Sequence, residues 1–216
     1  MTETQELEAG AAALGVPLEM RQLQSLARFA GLLRRWNEAF NLISRADVAR
    51  LIPRHLLDAL SLAPLVRGAR VLDLGSGAGL PGIPLAIARA DVEFCLLDRS
   101  ERRIRFIRHA KIELGLESVT PVVADFADFR PDILFDTVLS RAVARPVSLW
   151  QIAANLLTPR GIALFQVGSQ EREADGLAAN VEPLLIRIPG LTRPHQVLRV
   201  SARAPASEGP KQDTDR

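Results

Sequence analysis

The run Arg70–Pro84, reading Arg-Val-Leu-Asp-Leu-Gly-Ser-Gly-Ala-Gly-Leu-Pro-Gly-Ile-Pro, constrains the fold more than any other part of the chain. Val71, Leu72 and Leu74 make an apolar run too short for a helix, and the run stops at Gly75. A buried parallel strand that ends in a glycine turn has this form. Gly75, Gly77, Gly79 and Gly82 allow positive φ and let a ligand come close to the main chain. Pro84 suits the first turn of a following helix, where a missing N–H costs little. Strand, glycine loop and helix in this order predict a nucleotide-type binding turn.

Gly77-Ala78-Gly79-Leu80-Pro81-Gly82 also satisfies GxGxxG, which alone is weak evidence for a dinucleotide. The loop lacks the Gly-Lys-Ser/Thr ending of a phosphate cradle, which argues against ATP or GTP. Asp73 sharpens the choice, because a carboxylate at the loop's mouth repels a pyrophosphate and attracts a cation. S-adenosylmethionine carries an ammonium and a sulfonium and no phosphate, so it suits such an entrance. Val92–Leu97 is a second apolar run, and it ends at Asp98. An acid that accepts hydrogen bonds from two ribose hydroxyls is expected there. The order strand, glycine loop, strand, acid favours a donor site over ordinary strand-end carboxylates.

A chain of 216 residues, 48% hydrophobic, is long enough for one domain of average size and an accessory segment. It holds no run of 18 or more apolar residues, so no membrane span is expected. The acidic start Met-Thr-Glu-Thr-Gln-Glu has no hydrophobic signal region. The single cysteine, Cys95, cannot form an internal disulfide, which fits a reducing cytoplasm as the protein's location. Its place inside Val92–Leu97 makes it a buried structural thiol rather than a nucleophile. His55, His109 and His195 are scattered and have no partner cysteines, so no metal site is expected.

The formal net charge is only +2, but it is unevenly spread. Arg28, Arg34, Arg35, Arg45, Arg50 and Arg54 form one basic cluster; Arg99, Arg102, Arg103, Arg105, Arg108 and Lys111 form another. Such clusters point to a polyanionic partner or to solvated helix faces.

Residues up to about Leu65 are helical in pattern. Leu18, Leu23, Leu26, Phe29, Ala30, Leu33 and Trp36 recur at steps of three and four, and Asn41-Leu42-Ile43-Ser44 ends that helix. Trp36 reads as a core anchor. Pro53 starts a further helix with Leu56, Leu57, Leu60 and Leu62 on its apolar side. The segment 1–65 is therefore expected to be a helical cap, with a main domain over 66–200.

From Arg70 onward strands alternate with helices. Strands are predicted at Val71–Leu74, Val92–Leu97, Val119–Ala124, Phe135–Leu139, Ile162–Val167 and Val197–Val200. Helices are predicted near Ile83–Ala90, Ser100–Leu114, Pro146–Leu157 and Glu171–Asn180. Ser100 is the expected N-cap of the basic helix and Gly115 its stop. This alternation implies a parallel α/β sheet with right-handed crossovers. Ligands then bind at the carboxyl ends of the strands, where Asp73, Asp98, Asp125 and Arg141 fall. Ser201–Arg216, rich in Ala, Pro and charge, reads as a disordered tail.

Three blocks carry a resemblance to a known family: Arg35-Trp36-Asn37-Glu38-Ala39-Phe40-Asn41-Leu42, Arg54-His55-Leu56-Leu57-Asp58-Ala59-Leu60, and Asp73 through Pro84. Leu97-Asp98-Arg99-Ser100, Arg102-Arg103 before Phe106, and Ser140-Arg141-Ala142 continue the match in order. The chain resembles the RsmG family, also called glucose-inhibited division protein B, the bacterial 16S ribosomal RNA guanine-N(7) methyltransferases. The glycine loop is shared by many methyltransferases, whereas the Trp-Asn and Arg-His-Leu-Leu-Asp blocks are far more specific.

The resemblance implies a class I S-adenosylmethionine methyltransferase, Rossmann-like, with a mostly parallel seven-stranded sheet and an N-terminal helical extension. It implies donor-binding roles for Gly75, Leu80, Asp98, Phe126, Ala127 and Arg141, to which Asp73 and Gly77 are added from the loop. The expected partner is 16S rRNA or the 30S subunit, met by a monomer that needs neither metal nor membrane. Arg99, Arg102, Arg103 and Arg145 are the expected phosphate contacts. The family usually has Lys-Gly at the end of the fifth strand; here the chain reads Gln166-Val167-Gly168, and Arg141 or Arg145 would have to supply that charge.

The chemistry agrees. Methylating carbon-5 of a pyrimidine needs a cysteine nucleophile, and the only cysteine lies in a strand. Methylating an exocyclic amine commonly uses an Asn/Asp-Pro-Pro-aromatic turn, and that place reads Ser140-Arg141-Ala142-Val143. Guanine nitrogen-7 has a free lone pair and no proton, so it needs orientation and no general base. Accordingly no catalytic residue is assigned, and Arg141 is given a positioning role. His55 and Asp58 read as helix-packing or capping groups. Methylation of another RNA, a protein or a small molecule, and a catalytically idle ribosome-assembly binder, remain open on the sequence alone. A nicotinamide-dependent oxidoreductase is disfavoured by Asp73.

Overall fold

The computed structural model describes residues 2–141, 145–167, 177 and 179–202. Helices α1 (Glu3–Ala13) and α2 (Met20–Phe40) open the chain, followed by a short α3 (Arg45–Val48). A six-residue π-helical turn, Ile52–Leu57, then runs directly into α4 (Asp58–Leu60). A 3-10 turn at Ala63–Leu65 leads into β1 (Arg70–Leu74), α5 (Gly82–Ala88), β2 (Glu93–Asp98) and α6 (Glu101–Leu114). The rest is β3 (Val119–Val123), β4 (Phe135–Arg141), α7 (Pro146–Ala153), β5 (Leu157–Val167), β6 (Asn180–Ile186) and β7 (His195–Ser201).

The strands form one seven-stranded sheet in the order β3-β2-β1-β4-β5-β7-β6. β1 to β5 run parallel, and β7 lies antiparallel between β5 and β6. The order reverses direction between β1 and β4, which opens a crevice at their carboxyl ends. Alternation along β1 sends Val71 to one face and Leu72 and Leu74 to the other, and both faces are covered. One face packs against α1, α2, α5 and α6, the other against α7.

Local chemistry explains the elements that aim the site. Ser100 Oγ accepts from Arg103 N at the start of α6, and Gly115, at φ 63°, closes it. Ile104, Phe106, Ile107 and Ala110 form its buried side. The long α2 buries Leu23, Leu26, Phe29, Ala30 and Leu33, each contributing about 1.5–3 kcal/mol for a large side chain. It stops at Asn41, whose φ of 47° is left-handed, a conformation asparagine tolerates. Asn37 Oδ1 then accepts from Ile43 N at 2.8 Å and sets the direction of the chain that leaves. Trp36 packs its ring 5.4 Å from Phe106 and 5.2 Å from Phe40, at the edge of this core.

Several expectations need correction. The sequence reading missed β6: Pro183 sits in it, its residues are half-exposed, and it forms the sheet's edge, where proline is tolerated. The helix expected to end at Leu157 stops at Ala153, because Leu157 already pairs with Phe135 as part of β5. Of the expected helix at 171–180, residues 171–176 and 178 lie outside the described residues, and Asn180 opens β6. Ser201 belongs to β7, and residues 203–216 of the expected tail lie outside the described residues. Among the described residues no helix is long and apolar enough to cross a membrane.

Candidate functional site

The loop after β1 is built from backbone. Gly75, Gly77 and Gly79 take φ values of 68°, 56° and 72°, which a side chain would strain. Gly82 is needed for a different reason: a Cβ there would lie 2.8 Å from Asp73 Oδ2 and from Leu96. The loop is stitched to the next strand, since Ser76 N donates to Leu97 O at 2.9 Å. Asp98, at the end of β2, is 3% exposed and closes the arrangement. Its Oδ2 accepts from Gly77 N at 2.9 Å and its Oδ1 from Ser100 N at 2.8 Å. Arg103 donates to Oδ2 from 3.3 Å.

These groups bound a cavity of about 410 Å³. Its wall contains Gly75, Gly77, Leu80, Asp98, Phe126 and Arg141, six of the residues the sequence assigned to donor binding. Leu42 and Ile43 roof it from the segment that follows α2. Two assigned residues stand elsewhere. Ala127 is exposed, one position beyond Phe126, with its N–H turned to Asp125 Oδ1 at 3.0 Å. Asp73, expected at the mouth of the loop, is only 1% exposed and sits beneath it, where Oδ2 accepts from Gly82 N at 2.9 Å. Burial raises its pKa from an ordinary 3.8 to about 7, against the pull of the Gly82 N–H and of Arg141. Asp73 thus braces the loop from below and does not face the cavity.

A second cavity, of about 490 Å³, lies beyond Arg141 toward β5 and β7. Among the described residues Arg141 is the only one that lines both. The second wall is made of side chains drawn from distant parts of the chain: Asp47, Arg54, His55, Asp58, Gln166, Arg193 and His195. Arg141 donates to His55 Nδ1 at 3.0 Å and lies 3.7 Å from Asp58 Oδ2. Asp58 Oδ1 accepts from His195 Nδ1 at 2.6 Å and from Gln166 Nε2 at 3.1 Å. Arg54 reaches His195 Nε2 at 3.1 Å.

This network fixes protonation by simple counting. An arginine can only donate, so His55 must offer Nδ1 as an acceptor and carry its proton on Nε2. Burial, then the nearby Arg141, lower its pKa from 6.5 to about 4, so His55 is neutral around pH 7. By the same rule His195, facing Arg54 through Nε2, donates its Nδ1–H to Asp58. Burial also pulls the pKa of Arg141 down, opposed by Asp58 and Asp73. The sequence reading took His55 and Asp58 for packing groups; the structure makes them the centre of a buried polar cluster. The signal was present in Arg54-His55-Leu56-Leu57-Asp58, which sets titratable side chains into an apolar turn.

The expected phosphate contacts divide. Arg99 and Arg103 are exposed and line the first cavity; Arg102 and Arg145 are exposed outside both. Much of the first basic cluster is paired: Arg28 with Glu113, Arg34 with Glu3, and Arg54 with Asp47. Cys95 is half-buried in β2, and burial pushes its thiol up to about 11, leaving it protonated and a poor nucleophile.

Comparison with known proteins adds three findings. A family model described as rRNA small subunit methyltransferase G matches residues 22–183. Proteins named ribosomal RNA small subunit methyltransferase G are similar over most of the chain. The one from Nitrosococcus oceani is 42% identical over 177 residues, covering 82% of this chain and 83% of its own. The one from Methylococcus capsulatus is 43% identical over 188 residues, covering 86% and 92%. Among solved structures, TYW2 from M. jannaschii in complex with AdoMet superposes with a TM-score of 0.54 at 18% identity, covering 68% of this chain and 74% of that one. The fold is that of the class I S-adenosylmethionine methyltransferases.

Proposed function

The chain belongs to the rRNA small subunit methyltransferase G family, and on that premise we propose that it transfers a methyl group from S-adenosylmethionine to nitrogen-7 of a specific guanine in 16S rRNA. The observation that carries the reading is the pair of cavities sharing Arg141 as their partition. The first has the size of a small-molecule site, with a backbone floor at Gly75 and Gly77 and the carboxylate of Asp98 at its edge. The donor's ribose hydroxyls hydrogen-bond to Asp98, which keeps acceptor capacity beyond its bonds to Gly77, Ser100 and Arg103. Phe126 and Leu80 pack against the adenine, and Asp73 acts from beneath by fixing Gly82.

The reaction needs no proton removed from the acceptor. What the chain supplies is orientation and a dry channel past Arg141, a contribution on the order of several kcal/mol. His55, neutral around pH 7, holds the Arg141 guanidinium in place and takes no proton. The segment 1–65 serves as a cap that gives Leu42 and Ile43 to one cavity and Asp47, Arg54 and Asp58 to the other. Exposed Arg99, Arg102, Arg103 and Arg145 meet RNA phosphates, and the protein works as a cytoplasmic monomer on 16S rRNA or the 30S subunit.

The test is transfer of labelled methyl from the donor to 16S RNA and to 30S particles, followed by mapping of the modified base. The expected product is a single N(7)-methylguanine, absent when the target is 7-deazaguanine, with a single-turnover rate nearly flat across neutral pH. Continued methylation of the 7-deaza substrate would overturn the assignment. Label in a small molecule but not in RNA would move it to another acceptor class.

A further inference from the structure

We propose that the second cavity receives the target guanine laid across the carboxyl ends of β4 and β5. Arg141 donates to O6 and Gln166 Oε1 accepts from the 2-amino group. The inference rests on the guanine-methylation reading above and assigns the residue that selects the base.

Unmet hydrogen bonds carry the argument. Gln166 is 8% exposed, and its Nε2 faces two acceptors, Asp58 Oδ1 at 3.1 Å and Asp58 O at 3.5 Å. That fixes the orientation of the amide, because the oxygen would be repelled there. Oε1 is left buried and, among the described residues, has no hydrogen-bond partner. His55 is 6% exposed and is left in the complementary state: its Nε2–H has no hydrogen-bond partner among the described residues, the nearest acid being Asp47 at 3.8 Å. The wall of one cavity therefore keeps an unused acceptor on β5 and unused donors on the side of His55 and Arg141. Buried groups of this kind cost stability unless something satisfies them.

The register supplies the spacing. Arg141 and Gln166 are direct partners on adjacent parallel strands, about 4.8 Å apart. In guanine, O6 lies beside N7 and the 2-amino group lies at the far end of the six-membered ring. A base whose N7 faces the donor cavity brings O6 to Arg141, the partition. Its 2-amino group then falls one strand farther on, at Gln166. Arginine donating to O6 is a pairing guanine favours. Adenine has neither O6 nor a 2-amino group and would turn a ring lone pair toward the Gln166 side. The exposed Arg193 and half-exposed Arg54 line the same cavity and are placed for the phosphates that flank the base.

The experiment compares single-turnover methyl transfer to 16S RNA carrying guanine or inosine at the target, using the parent and Gln166→Met. Inosine lacks only the 2-amino group. The parent is expected to lose about tenfold or more on inosine, the cost of stranding a buried acceptor. Gln166→Met should lose a similar factor on guanine and show no further loss on inosine, with donor affinity by calorimetry within about twofold of the parent. A merely structural glutamine would slow both substrates alike and keep the parent's guanine-to-inosine ratio, which overturns the inference. So does a parent that methylates both equally. A parent that transfers no methyl to 16S RNA overturns the reading on which the inference rests, a result distinct from either. If methionine abolishes donor binding, Gln166→Leu is measured by the same ratio.

Discussion

The two cavities are made of different material. The first is backbone: three left-handed glycines, two N–H groups bound to Asp98, and a strand end, all within residues 73 to 100. The second is side chain: Arg141 meets His55 across 86 positions, Gln166 meets Asp58 across 108, and His195 meets Asp58 across 137. A backbone site fixes where a ligand lies and is indifferent to most substitutions around it. A side-chain network selects which ligand enters, and it fails when any member is removed, because each loss strands a buried partner. One fold thus holds a general site for a donor beside a particular site for an acceptor.

Arg141 belongs to both sides, so its removal gives the largest expected effect. Arg141→Ala deletes the donation to His55 Nδ1 and leaves Asp58 Oδ2 without its cation. Two charge-assisted contacts of about 1.5 kcal/mol each predict a fall in kcat/KM of about a hundredfold, with donor affinity also reduced. If only donor affinity fell while single-turnover rates at saturating donor stayed normal, Arg141 would belong to the first cavity alone and the contrast would break.

The next effect is a crossed pair. Asp98→Ala should weaken donor binding more than tenfold, since a carboxylate accepting from ribose hydroxyls contributes about 1.5–3 kcal/mol, and should leave RNA affinity unchanged. Asp58→Ala should do the reverse, sparing donor affinity in calorimetry while slowing methyl transfer at saturating donor about tenfold. Equal losses of donor affinity in both variants would show that the cavities are one site.

The contrast also sets what could be read from the sequence. β1, β2 and α6 with its Ser100 and Gly115 caps were legible because local chemistry decides them: apolar runs, glycines, a hydroxyl before a helix. Asp98 was legible because it ends a strand at a fixed distance from a glycine loop. Asp73 was misplaced because side chains alternate along a strand; it shares the face of Val71, under α5, whatever its charge suggests. The second cavity was invisible because no local pattern announces that residues 58, 141, 166 and 195 will meet. β6 escaped because an exposed edge strand with Pro183 lacks the apolar alternation of its neighbours.

The smallest expected effect uses one titrating group from each region. His55, lowered to about 4, contributes stability that is full above 6.5 and is lost as pH falls toward 4, because the unfolded chain takes up the proton first. Asp73, raised to about 7, contributes stability that is full below 3.8 and is lost as pH rises toward 7. Between pH 4 and 6.5 the two slopes oppose. Relative to the parent, Asp73→Asn should therefore gain stability as pH rises through that window, by on the order of 1 kcal/mol per pH unit, and His55→Gln should lose it. Urea midpoints at three pH values decide it; parallel curves for parent and Asp73→Asn would mean that Asp73 titrates normally.

The place of β7 has a consequence for the order of events in the cell. A ribosome releases this chain from its N-terminal end, so every wall of the first cavity has been synthesised once Arg141 has emerged. β7 comes last of the seven strands yet lies inside the sheet, between β5 and β6, and it carries His195 into the Asp58 cluster. Its pairing with β5 is of long sequence range, the kind of contact that forms slowly. A nascent chain would thus complete its donor floor well before its base-selecting wall. Competence toward RNA would switch on only when the last strand slots in, so truncated products would lack it.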